Sequence, residues 1–175
     1  MLIEEIIDEF RMLSRYDPMH HVITGNRLKS QLKRVNTPLA NFEVRYRKVL
    51  NYHDYYLYSK KTGRSVGLFT IEDRGDSLKG IKPGIRVVTP HMALAPEAQR
   101  QGISTLAYTT FLRGGPWVFT TDEHTMAASK LWDSIATGDI VTFFINRKTG
   151  LPTNNPSVRD PKVLGPKDRF IETNA

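Results

Sequence analysis

The sequence predicts an α+β fold in which helices flank a mixed, mostly antiparallel sheet. Between Phe42 and Ala95 the apolar residues fall in short runs joined by turn-rich links, and from Ile103 the period turns helical, with two further strand-like runs among the helices. The 175 residues, 39% hydrophobic and 25% charged, suit one compact domain over 1–175 with a core of its own.

Each element has its own signal. Leu2, Ile3, Ile6, Ile7, Phe10 and Leu13 trace a helical face whose start carries Glu4, Glu5, Asp8 and Glu9, where negative charge favours the dipole. Leu28, Leu32 and Val35 predict a second helix from about Asn26 to Val35, ended by Asn36-Thr37-Pro38. Strands are expected at Phe42–Leu50, Tyr55–Ser59 and Ser65–Glu72, the last two joined by a hairpin turn at Thr62-Gly63. A fourth strand, "IRVVTPHMALA", is expected to kink at Pro90, and the sheet up to this point reads as a meander. Ile103, Leu106, Ala107 and Phe111 mark a helix stopped by "RGGP". "WVFTT" is a strand, and Ala128, Leu131, Trp132 and Ile135 mark a helix with Thr125 at its start and Gly138 at its stop. "IVTFFIN" is a further strand. Beyond Lys148 the chain is a loop-rich extension, with a last strand candidate at Arg169–Glu172.

Composition narrows the chemistry. With no cysteine there is neither a disulfide framework nor a thiolate metal site, and a covalent cysteine mechanism is excluded. His20-His21 is no metal pattern, because adjacent residues rarely converge on one ion, and no metal is expected. The first residues are acidic where a secretory signal is basic, and no run of about 18 apolar residues occurs, so a cytoplasmic protein is expected. A net charge of +7 favours an anionic partner: nucleic acid, a phosphate-bearing cofactor or an acidic host protein. The run "RLKSQLKRV" with Arg45 and Arg47 is the best surface for it; a solvated helix face is the alternative. "NYHDYYLY" allows base stacking but also suits a half-buried strand.

The stretch "LAPEAQRQGIST" links strand to helix and places Gly102 just before Ile103. A helix start offers unpaired N–H groups and partial positive charge to an anion, and a glycine leaves the backbone open to approach. No Walker or dinucleotide glycine pattern is present. Gln99-Arg100-Gln101-Gly102-Ile103-Ser104 instead resembles the Gln/Arg-x-x-Gly-x-Gly/Ala signature of the GNAT superfamily of N-acetyltransferases, with Ser104 as a small substitute at the last position. Leu94 and Pro96 stand where that family has an apolar residue and a proline, and "TMAASKLWDSIA" is similar to its later Asn-x-x-Ala-x-x-Leu-Tyr helix. The likeness covers roughly 42–146, and the wording around "KLWDSIA" looks like acetyltransferase-like proteins of bacteriophages.

The resemblance implies acetyl-CoA, or a related acyl-CoA, as cofactor. Its pyrophosphate is then expected on the N–H groups of Gln99, Arg100, Gln101, Gly102, Ile103, Ser104 and Thr105, with Arg100 adding charge. Its pantetheine arm is expected to pair with the backbone near Met92 and Leu94, in a slot opened by the kink in the fourth strand. The implied activity is direct acetyl transfer to an amine on a small molecule, a protein or a nucleobase. Where the family carries a base the chain has Val88 and Pro90, and where it carries a tyrosine acid the chain has Trp132. His91 is one residue out of register and points away from the slot unless a bulge turns it in; a surface histidine is the alternative. Asp122, Glu123 and His124 follow the fifth strand and stand either near the acceptor or in solvent at a helix entry. Glu72 and Asp73 end the third strand, in an acceptor-binding position or a solvated hairpin. The missing base and acid leave a second reading open: a GNAT-fold binding protein without catalysis, directed at a host macromolecule or nucleic acid, or a virion component.

Overall fold

The computed structural model describes residues 18–36, 39, 41–99, 101–121, 126–157 and 160–171. The helix expected over 2–13 lies outside them. Helix α1 spans Pro18–Leu28, and strands follow at Lys33–Val35 (β1), Phe42–Val49 (β2), Tyr52–Ser59 (β3), Ser65–Asp76 (β4) and Arg86–Leu94 (β5). Then come α2 (Ile103–Gly114), β6 (Trp117–Thr121), α3 (Met126–Ile135), β7 (Ile140–Ile145), β8 (Pro152–Thr153) and β9 (Lys162–Pro166). The sheet order is β1-β2-β3-β4-β5-β6-β9-β7-β8, mostly antiparallel, with β5 and β6 parallel. The α+β class and the meander through β5 are as expected.

The chain divides into two compact units, Met1–Ile71 with His91–Ser104, and Glu72–Pro90 with Thr105–Ala175. The first has a core of Leu32, Tyr56, Tyr58 and Leu68, against which Leu28 packs. Two hydrogen bonds fasten α1 to it: Tyr58 donates its hydroxyl to the Gly25 carbonyl at 2.7 Å, and the Ser65 N–H reaches Asn26 Oδ1 at 2.7 Å. The second unit is built on Val118, Ile145 and Val163, with Leu78, Ile81, Ile85, Phe143 and Phe170 around them.

Three expectations are corrected. The helix predicted over Asn26–Val35 ends at Leu28; a 3-10 turn covers Lys29–Gln31, and Lys33, Arg34 and Val35 form an edge strand opposite Tyr46, Arg45 and Val44. Leu32 is buried in the sheet cluster, and the ladder on β2 satisfies backbone groups that a short basic helix would leave to water. Arg169–Glu172 is not a strand: Lys167–Arg169 is a 3-10 turn and Phe170 makes a single bridge to Ile81, residue 172 being outside the described residues. Arg169 instead donates to the carbonyls of Leu112 at 2.7 Å and Trp117 at 2.6 Å, closing the end of α2. The extension expected to be loop-rich carries two unforeseen strands, β8 at the edge beside β7 and β9, which lies between β6 and β7. All five residues of β9 are buried, so it has no polar alternation to betray it.

Glu43 supplies a pH prediction. Arg34 and Arg45 both donate to its carboxylate, and the hydrogen bond from Arg34 is the main reason that Glu43 is held down at about 2. Because the folded value lies below the ordinary carboxylate value of about 4.3, the contribution is complete above that pH and is lost as pH falls toward 2. Arg34 is 72% exposed, so water screens the pair and its contribution is small. In urea titrations at pH 6 and pH 3, wild type should lose more stability between the two pH values than Glu43→Gln. Equal losses would exclude the contribution.

Candidate functional site

Strand β5 carries the first part of the site. Its parallel ladder with β6 pairs Arg86, Val87 and Val88 with Trp117, Val118 and Phe119 and, among the described residues, goes no further. Pro90 follows, without an N–H to donate, yet β5 continues to Leu94. The opposite edge of β5 lies on β4. Ala95 donates to the Val66 carbonyl at 2.8 Å, and a Cβ added at Gly67 would come within 2.4 Å of the Ala93 carbonyl oxygen. Antiparallel pairing alternates, so residues 91, 93 and 95 direct their main-chain groups to β4, while Met92 and Leu94 direct theirs to the other edge. The carbonyl of Leu94 accepts a hydrogen bond from the Gln99 side chain at 3.1 Å.

The link to α2 is a single 3-10 turn over Pro96–Ala98 and then Gln99 to Gly102. Gln101 donates its side-chain amide to the Glu97 carbonyl at 2.7 Å. Gly102 has φ +72°, a left-handed conformation that costs a side-chain-bearing residue about 1 kcal/mol or more. No atom stands within 4 Å of where its Cβ would be. Ile103, 4% exposed, anchors the start of the 12-residue α2, while Gln101, Gly102 and Thr105 are exposed and Ser104 is partly so. An open helix end, carrying the partial positive charge of its unpaired N–H groups, therefore stands at the stretch that the sequence singles out. Arg100 lies outside the described residues.

Among the catalytic candidates, His124 with Asp122 and Glu123 also lies outside the described residues. Glu72 is 5% exposed, and Arg74 donates to both of its oxygens at 2.9 and 3.3 Å; a buried, paired carboxylate replaces the solvated hairpin end. The hairpin does not end there, because β4 runs on to Asp76 and Asp73 holds Arg86 through two bonds of 2.9 Å. Val88 and Pro90 are buried. Trp132, 2% exposed, is a hydrogen-bond partner of Tyr108, which burial pushes up to about 12; both residues serve packing.

His91 is half-buried and, because strand side chains alternate, faces the side opposite Val88 and Pro90. Carrying the Val66–Ala95 register along the ladder sets His91 opposite Thr70. Thr70 donates its hydroxyl to Asp54 Oδ1 at 3.1 Å, and Arg47 reaches Asp54 Oδ2 at 3.3 Å and the Tyr56 hydroxyl at 3.2 Å. A polar row, Arg47, Asp54, Thr70 and His91, thus crosses four adjacent strands on one face. Sequence reasoning passed over Asp54 and Thr70. The signal was available: Asp54 shares its parity with Tyr52, Tyr56 and Tyr58, so alternation buries it with them.

The basic surface is smaller than the sequence suggests. Arg45 donates to Glu43 and to the Lys29 carbonyl, Arg47 belongs to the polar row, and Lys29 donates to the Gly63 carbonyl at 2.6 Å and lies over the Tyr58 ring. These cations hold the fold together. No helix among the described residues is long and apolar enough to cross a membrane. No protein-family model and no curated protein matches the chain.

Proposed function

We propose that the chain is an acyl-CoA-dependent N-acetyltransferase that transfers an acetyl group from acetyl-CoA directly to an amine held beside it. The observation that carries this reading is a parallel strand pair whose ladder ends at Val88, followed one short turn later by a left-handed glycine at an open helix start. The N–H groups from Gln99 to Thr105 would hold the pyrophosphate, and the main chain of Met92, with the Leu94 N–H, would hold the pantetheine arm. When bound, acetyl-CoA supplies an activated thioester. The protein's part is to orient the amine, exclude water and accept the proton it gives up, which finally leaves with the coenzyme A thiolate; His91 takes that proton from an amine that approaches on the face of Thr70 and Asp54, the side away from Val88 and Pro90. The acceptor belongs to one of three classes: a small molecule, a protein amine or a nucleobase.

A second reading rests on Val88, Pro90 and Trp132. All three are buried, and none can move a proton, so the same fold would serve as a binding protein for a host macromolecule or nucleic acid. Incubation with acetyl-CoA and a bacterial extract, followed by mass spectrometry, separates the two. New acetylated species that fail to form with Gly102→Glu are the expected result; their absence with wild type would leave the binding protein.

A further inference from the structure

The first unit contains a cavity of about 720 Å³ between α1, the β3–β4 hairpin and the turn before α2. Its lining is unequal in charge. Lys60, Lys61 and Arg64 surround it against one carboxylate, Glu97. All three cations are exposed, and none makes an ion pair with a described residue. Three unneutralised cations within five residues repel one another, so the fold gains from an anion placed among them. The rest of the lining includes Phe42, Val66 and Ile103, an apolar side beside the cationic one. Ser65 adds a further sign: it lines the cavity, is 2% exposed, and its Oγ is the buried side-chain oxygen left without a hydrogen-bond partner among the described residues. Its Oγ lies against Gly25 of α1, and a buried hydroxyl without an acceptor is unfavourable, so the wall of the cavity is not fully satisfied as it stands. The size suits a mononucleotide, since small-ligand sites typically occupy roughly 300–1,000 Å³.

We propose that this cavity is a binding site for a nucleotide-sized phosphate ester, its phosphate held by Lys60, Lys61 and Arg64 and its apolar part set against Phe42 and Ile103. Two sources share that chemistry: a free nucleotide, or the phosphorylated adenosine end of coenzyme A, which rests on the acyl-CoA reading above. The site itself rests on the cavity and its charge.

Calorimetry on the full chain with adenosine 3′,5′-bisphosphate tests it. Wild type should bind, and Lys60→Gln/Lys61→Gln/Arg64→Gln should bind at least about fivefold more weakly, since each lost cation removes one phosphate contact. Removing equal charge elsewhere, in Lys48→Gln/Lys82→Gln/Lys148→Gln, should leave the affinity unchanged. No binding by wild type, or an equal loss in both triple variants, would overturn the proposal. A second titration with coenzyme A separates the sources. Weakening by the Lys60/Lys61/Arg64 variant assigns the site to the coenzyme's nucleotide end. Coenzyme A affinity that depends on Gly102 alone, or no coenzyme A binding at all, assigns it to a free nucleotide, and only the last of these counts against the acetyltransferase reading.

Discussion

Replacing His91 with alanine is expected to lower turnover with acetyl-CoA and an amine by about a hundredfold while leaving coenzyme A affinity intact, because a positioned proton acceptor typically contributes that much. Imidazole is the side chain most often used for this step. On β5 it is the first residue after Pro90, just beyond the last rung of the ladder to β6. Its face carries Thr70 and Asp54, whose 3.1 Å hydrogen bond fixes the neighbouring strand and gives the ring polar rather than apolar surroundings. Steady-state kinetics and calorimetry on the same preparation check both halves of the expectation. Wild-type turnover in the variant would make His91 a surface histidine and pass the test to Glu72 and His124. A parallel loss of turnover and coenzyme A affinity would instead mean that the residue shapes β5.

Gly102→Glu should weaken coenzyme A binding at least tenfold, or roughly 1.4 kcal/mol, read by calorimetry. Two effects combine. The new carboxylate sits at a helix start where a pyrophosphate is proposed, and like charges brought to contact distance repel even at an exposed site. The backbone at φ +72° also resists any side chain, by about 1 kcal/mol. Gly102→Ala separates the two: the space around the missing Cβ is open, so alanine meets the conformational cost but no clash and no repulsion. Its melting temperature should fall while its affinity changes little. Unchanged affinity in a folded Gly102→Glu protein would remove the acyl-CoA proposal.

Much of the fold was legible residue by residue. Alternation marked β2, β3 and β4, although β3 begins earlier and β4 ends later than read, since pairing with neighbours extends a strand beyond its alternating stretch. Helical spacing marked the start of α2 at Ile103, although the helix runs on to Gly114, two residues into the "RGGP" read as its stop, and "WVFTT" and "IVTFFIN" were visible as apolar runs of strand length. The turn before α2 was legible because a glycine preceding an amphipathic helix has few other uses. The basic face was overestimated, because a sequence counts charges without showing which ones, like Arg45 and Arg47, are spent on internal carboxylates and carbonyls.

Periodicity, caps and turn residues are written by near neighbours in the chain, so α+β class, the meander and the helix start at Ile103 followed from local pattern alone. The edge strand β1, the buried β9 between β6 and β7, and the row of Arg47, Asp54, Thr70 and His91 join residues up to 45 positions apart, counted from Phe119 to Leu164. Such pairings are settled by which backbone edges stand open and which polar groups must be satisfied once the sheet forms. Local propensity is worth a few tenths of a kcal/mol per residue, whereas leaving a buried group unpaired costs about 1–3 kcal/mol, and where the two conflicted, as at Leu32–Val35, the long-range term prevailed.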